Sequence, residues 1–145
     1  MCTTVHILPT VQLRHTLPDG TWHIDWMLAM DMNDSPLRTF RLPAPLHVMP
    51  ADTSMALESL PDHRRAYLEY EGPISGDRGE VKRIATGVWA VSQEAPDAWD
   101  VIWAELEGRE KSAIQRITFI TGRDGVPERV KCEGFHSFRP EDVAE

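Results

Sequence analysis

Between Thr21 and Ala29 the chain alternates with period two. Trp22, Ile24, Trp26 and Leu28 fall on one face and His23, Asp25 and Met27 on the other. Turn chemistry at Leu17-Pro18-Asp19-Gly20, just before this segment, predicts a hairpin with Val11–His15. Further strands are expected at Ala66–Tyr70, Glu80–Ala85, Gly87–Ser92, Trp99–Leu106, Ile114–Thr121 and Glu128–Glu133. Asp124-Gly125 supplies a hairpin turn between the last two. A helix of about two turns is expected near Ser54–Leu60, ended by Pro61, and another short turn after Pro140. Many short strands at close spacing predict a mainly β fold, a compact antiparallel β-barrel with one or two short helices.

The 11 prolines and 9 glycines are scattered, so residues 1–145 read as a single domain without a linker. A composition of 41% hydrophobic and 26% charged residues is that of a globular chain. No apolar run approaches the ~18 residues of a membrane span, and none in the first twenty residues suits a secretion signal. A cytoplasmic protein with no membrane partner is the expectation. Cys2 and Cys132 are far apart and lack a C-x-x-C spacing, which argues against a disulfide framework and a cysteine zinc site.

The formal charge of −8 argues against broad, non-specific wrapping of nucleic acid. Its distribution is uneven. Residues 36–83 balance seven basic against seven acidic side chains, whereas residues 84–110 set Arg109 alone against six acids. A local basic pocket is compatible with this pattern and a large basic face is not.

On a strand, His23 and Asp25 lie side by side with Cβ atoms ~6–7 Å apart, and the hairpin can return His15 to the same place. Two imidazoles and a carboxylate form a site for a divalent transition metal; mixed nitrogen and oxygen donors suit manganese, iron or zinc better than magnesium or calcium. The same three residues also suit an ordinary hydrogen-bonded group on a sheet face. A second stretch holds Asp62-His63-Arg64-Arg65-Ala66-Tyr67, then Tyr70-Glu71-Gly72, Gly76, Arg78 and Gly79. Its arginines offer charge for a phosphate, with Arg64 and Arg65 as candidate phosphate-binding residues, and its glycines permit close backbone approach. A glycine-rich turn with solvated arginines is the alternative.

Taken together, the two stretches resemble the 3′-phosphoesterase domain of bacterial DNA ligase D and its small stand-alone relatives. That family carries a histidine, then His-x-Asp on a strand, then Asp-His-x-x-x-Tyr before an acidic-glycine segment. Here those positions read His15, His23 with Asp25, and Asp62-His63 with Tyr67 before Tyr70-Glu71-Gly72. Gly79 to Trp89 resembles the family's following hairpin, and the likeness covers about residues 5–90. The resemblance implies a β-barrel that heals DNA 3′ ends by removing a 3′-phosphate or a 3′-terminal ribonucleotide. It implies metal ligands at His15, His23 and Asp25, with Mn2+ or another divalent metal such as Zn2+. His63 would act as the catalytic group on the phosphate, and Tyr67 would position the phosphate or His63. The implied partners are DNA or RNA 3′ ends and a separate ligase or polymerase. A non-catalytic module binding nucleic-acid ends or protein is the alternative within the same fold.

Two departures bear on the chemistry. The family's arginine two residues after the aspartate is Met27 here, which cannot hydrogen-bond an oxyanion. The spacing from His15 to His23 is also two residues longer than in the ligase domains. Trp22, Trp26, Trp89, Trp99 and Trp103 are expected in the barrel core. His6, His47 and His136 are expected to be ordinary histidines, and the acidic stretch Glu94–Glu110 a solvated surface.

Overall fold

Period-two alternation produces strands wherever one face finds apolar cover, and this chain forms them almost throughout. The computed structural model describes residues 6–95, 97–106 and 113–137. Among these lie ten strands, β1 (Leu8–Thr16), β2 (Trp22–Leu28), β3 (Leu37–Leu42), β4 (Ser54–Ala56) and β5 (Glu58–His63), then β6 (Gly72–Pro73), β7 (Glu80–Val91), β8 (Ala98–Leu106), β9 (Ala113–Thr121) and β10 (Pro127–Ser137). Two short 3₁₀ turns, Leu46–Val48 and Arg65–Leu68, interrupt them. No helix among the described residues is long and apolar enough to cross a membrane.

The pairings are antiparallel, in the order β4-β10-β9-β8-β7-β1-β2-β3-β5, with β6 beside β7. The architecture is therefore mainly antiparallel β, but it is not the expected barrel. The edge strands β4 and β5 share no ladder, so the sheet is not closed. Leu57 alone separates them in the chain, and its N–H donates to the Glu128 carbonyl at 2.9 Å. The sheet curls until its two ends meet at this residue, without becoming continuous.

The curl encloses an aromatic centre. Trp26 of β2 and Phe40 of β3 are fully buried and meet Trp99 of β8 and Phe119 of β9, with ring centroids 4.6 to 6.3 Å apart. The Trp26 indole N–H donates to the Thr10 hydroxyl, which donates in turn to the Met27 carbonyl. The 3₁₀ turn at Leu46 is pinned by buried amides: Gln12 accepts from the Leu46 N–H, and Gln115 donates to the Leu46 carbonyl. Trp22 leaves the expected core position; it is 46% exposed, with the Arg14 guanidinium 5.1 Å over its ring.

Several expected elements take other forms. Ser54–Leu60 is not a helix but β4, Leu57 and the first half of β5, because both pieces find ladder partners on β10 and β3. Ala66–Tyr70 is not a strand; the chain there winds into the 3₁₀ turn Arg65–Leu68. The two segments foreseen at 80–85 and 87–92 are one strand, β7, carrying a bulge where Gln12 and Leu13 of β1 face Ala85 and Arg83. β3 was not anticipated. The turn expected after Pro140 lies outside the described residues.

Replacing Trp26 by alanine should lower unfolding free energy by about 3–5 kcal/mol, the range for a large buried aromatic. Urea titration of both proteins measures this, and a loss under about 1 kcal/mol would place the centre of the core elsewhere.

Candidate metal centre

The β1–β2 register brings the first three site residues together. His15 pairs directly with His23, and Asp25 stands one alternation further along on the same face. Side chains on this face of β2 point away from the aromatic centre, and such a face is normally wet. Here the segment running from His63 through the 3₁₀ turn to Val81 covers it, so Leu13, Met27 and Val81 are buried. The His15, His23 and Asp25 side chains keep only 15, 12 and 4% of their exposure.

The donor atoms converge within 4.8 Å of one another. His15 Nδ1 lies 3.2 Å from His23 Nε2 and 3.5 Å from Asp25 Oδ2, and His23 Nε2 lies 3.0 Å from Asp25 Oδ1. The His15 tautomer follows from its other nitrogen. Nε2 sits 2.7 Å from the Arg78 carbonyl, which only accepts, so Nε2 carries the proton and Nδ1 turns a lone pair inward. An outer hydrogen bond of this kind orients a metal-binding imidazole. Asp25 Oδ1 is buried and makes no hydrogen bond of good geometry, although His23 Nε2 stands 3.0 Å away. A buried carboxylate oxygen left in that condition is costly unless a cation serves it. Two inward nitrogen donors beside an orphaned carboxylate oxygen fit a divalent metal.

Burial holds His23 below the usual imidazole range; Arg41 and His15 push it the same way, while Asp25 opposes them. The neutral, lone-pair form is thereby favoured near neutral pH, as ligation requires.

Arg78 reaches His15 because of its loop. Gly76, Asp77 and Gly79 all have positive φ, at 77, 55 and 88°. A Cβ on Gly79 would stand 1.9 Å from the Thr16 carbonyl oxygen, so only glycine lets the loop lie against the end of β1.

His63 and Tyr67 line the same cleft as His15 and Asp25, a space of ≈ 80 Å³ that Met27, Ile74, Arg78 and Val81 complete. Pro61 sits at an irregularity of edge strand β5, where proline is tolerated, and the register shift there delivers His63 opposite Leu37. His63 Nδ1–H donates to the Pro61 carbonyl at 2.9 Å, leaving Nε2 for other partners. Tyr67 packs edge-on to the His63 ring with centroids 5.8 Å apart.

The arginines divide. Arg64 lines a neighbouring cleft, whereas Arg65 lines neither: it donates to the Asp31 and Ser35 carbonyls and pairs with the Asp31 carboxylate at 3.6 Å. Arg65 thus anchors one side of the 3₁₀ turn that carries Tyr67. Arg83, which sequence reasoning passed over, anchors the other through the Leu68 carbonyl and Glu71. Arg41, paired with Glu58, flanks His23 on the far side of the site. Arg78 was noted in the sequence for its charge; its carbonyl contact to His15 left no signal there, because a backbone atom has none.

No family model matches the chain, and no curated protein matches it.

Gly79→Ala should displace the Arg78 carbonyl and weaken Zn2+ or Mn2+ binding about 10–100-fold, as loss of an orienting contact does. Titration with a competing chelator reads this directly. The metal-free protein should also gain stability as pH rises toward 6.5, the ordinary imidazole value. In that window the unfolded chain binds a proton that the folded His23 resists, so stability falls as pH falls. His23→Gln should flatten this dependence in urea titrations between about pH 5 and pH 7.

Proposed function

We propose that this chain is a metal-dependent phosphoesterase acting at nucleic-acid 3′ ends. It would remove a 3′-phosphate or a 3′-terminal ribonucleotide and leave a hydroxyl for a separate ligase or polymerase. The observation that carries the reading is the convergence of His15 Nδ1, His23 Nε2 and the Asp25 carboxylate beside a small cleft walled by His63 and Tyr67. The ordered likeness of these five residues to the ligase D phosphoesterase pattern supplies the substrate class.

His15, His23 and Asp25 would hold the divalent metal, with manganese or zinc the best matches to this donor set. Once bound, the cation would offset negative charge on the phosphoryl oxygens. His63 faces the cleft with Nδ1 already committed to Pro61, so Nε2 is the atom that meets the phosphate. In its protonated form it donates to a phosphoryl or leaving oxygen; a positioned imidazole in this role typically contributes about 10²–10⁴ in rate. Tyr67 packs against the His63 ring, limits its rotation, and brings a hydroxyl with no hydrogen-bond partner among the described residues. The near-complete burial of Asp25 keeps competing water from the donors and strengthens every charge interaction inside the cleft.

One observation favours the second reading, a non-catalytic module for nucleic-acid ends or protein. Met27 lines the cleft where the family carries its arginine. A missing charge-assisted contact of this type costs on the order of 10²–10³ in rate.

Manganese-dependent phosphate release from a 3′-phosphate-ended DNA primer–template tests the assignment. Release by the wild type should be abolished in His23→Ala and reduced about 10²–10⁴-fold in His63→Ala, with thermal transitions kept. Full activity in either variant overturns the site. No release by a wild type shown to be metal-loaded favours the binding module.

A further inference from the structure

The small cleft opens beside a larger one of ≈ 270 Å³, and the two share Tyr67, Ile74 and Arg78. Together they exceed the ~300 Å³ at which small-ligand sites begin. Arg64, Tyr70 and Ser75 lie on the larger cleft. Its side chains combine two kinds of chemistry. The Arg64 guanidinium has no hydrogen-bond or ion-pair partner among the described residues. The Arg78 guanidinium is steadied by its own loop, Nε donating to the Ser75 carbonyl at 2.7 Å and an Nη donating to the Ser75 hydroxyl at 3.3 Å. Two forked cations near one opening suit a phosphate.

Tyr67 and Tyr70 supply the flat surface. Their rings stand edge to face at 88° with centroids 5.9 Å apart. The Tyr70 hydroxyl donates to the Pro73 carbonyl, which fixes the ring, and the side chain remains 40% exposed. A held, half-exposed aromatic ring beside two guanidinium groups is the arrangement on which a nucleobase stacks.

We infer that the Arg64–Tyr67–Tyr70–Arg78 cleft recognises one nucleoside monophosphate unit, with its base on Tyr70 and its phosphate directed by Arg78 toward His63. Arg78 thereby supplies from the loop after β6 the cation that Met27 cannot supply from β2. A net charge of −8 disfavours following a strand along its phosphates, so recognition is confined to this single unit. The direction of the phosphate rests on the phosphoesterase reading; the cleft's affinity for a nucleotide does not.

Calorimetric titration with thymidine 3′-monophosphate, inorganic phosphate and a 3′-phosphorylated single-stranded oligonucleotide tests this, each in Mn2+ and in EDTA. The nucleotide should bind more tightly than inorganic phosphate. Tyr70→Ala should remove that advantage, about 5- to 150-fold, and leave phosphate binding unchanged. Tyr70→Phe should retain the advantage, which separates stacking from the hydroxyl contact to Pro73. Arg78→Gln should weaken both ligands about tenfold or more. The oligonucleotide should match the mononucleotide, with a salt slope of one to two phosphates.

Equal affinity of wild type for nucleotide and phosphate, or no effect of Tyr70→Ala, overturns the inference. A much tighter oligonucleotide with a steep salt slope overturns its restriction to one unit. Nucleotide binding in EDTA that depends on Tyr70 and Arg78 upholds the cleft even where phosphate release fails. Phosphate release with a KM unmoved by Tyr70→Ala leaves the phosphoesterase reading standing and removes this one.

Discussion

The site depends on one pairing: His15 opposite His23 across the β1–β2 ladder. Strand side chains alternate, so a slip of one residue would send His23 and Asp25 to the aromatic face and bring Ile24 and Trp26 to the site face. Two constraints resist this. The Trp26 indole is locked to Thr10 inside the curl, and the Leu17 carbonyl accepts from the Gly20 N–H at 2.9 Å in the turn between the strands. The packing that stabilises the domain also sets where the donors stand.

What converts a pair of histidines on a sheet into a candidate metal centre is the cover over them. The segment from His63 to Val81 has little regular structure, and guanidinium groups hold it in place. Arg65 ties its near side to the loop after β2, and Arg83 ties its far side to β7. These partly exposed ion pairs each contribute little stability. Their effect is geometric, since they keep Tyr67 against His63 and the Arg78 carbonyl on His15. The cover shields Asp25 from water, and that burial makes its unpartnered oxygen costly without a cation.

Local patterns made the centre of the site legible and left its surroundings obscure. The alternation at Trp22–Leu28 and the Pro18-Asp19-Gly20 turn lie within one hairpin, so His15, His23 and Asp25 could be joined from sequence. Ser54–Leu60 contains good helix formers, and only its partners on β10 and β3, distant in the chain, make it strand. Arg65 looks like a phosphate ligand until Asp31 is found beside it, 34 residues away. Closure of the barrel was also beyond sequence reasoning, because alternation specifies faces and not whether the last edge pairs with the first.

That unclosed edge has a consequence for how the domain assembles. β4 and β5 are joined through a single residue yet occupy opposite ends of the strand order, so Leu57 bridges the two ends of the sheet. The seam is thus closed through contacts between residues far apart in the chain, the kind of pairing that slows folding. Its short edge strand β4 and the Pro61-bearing β5 are poor templates for another chain. The seam therefore offers no long adhesive edge, and the hairpin holding the site lies inside the sheet.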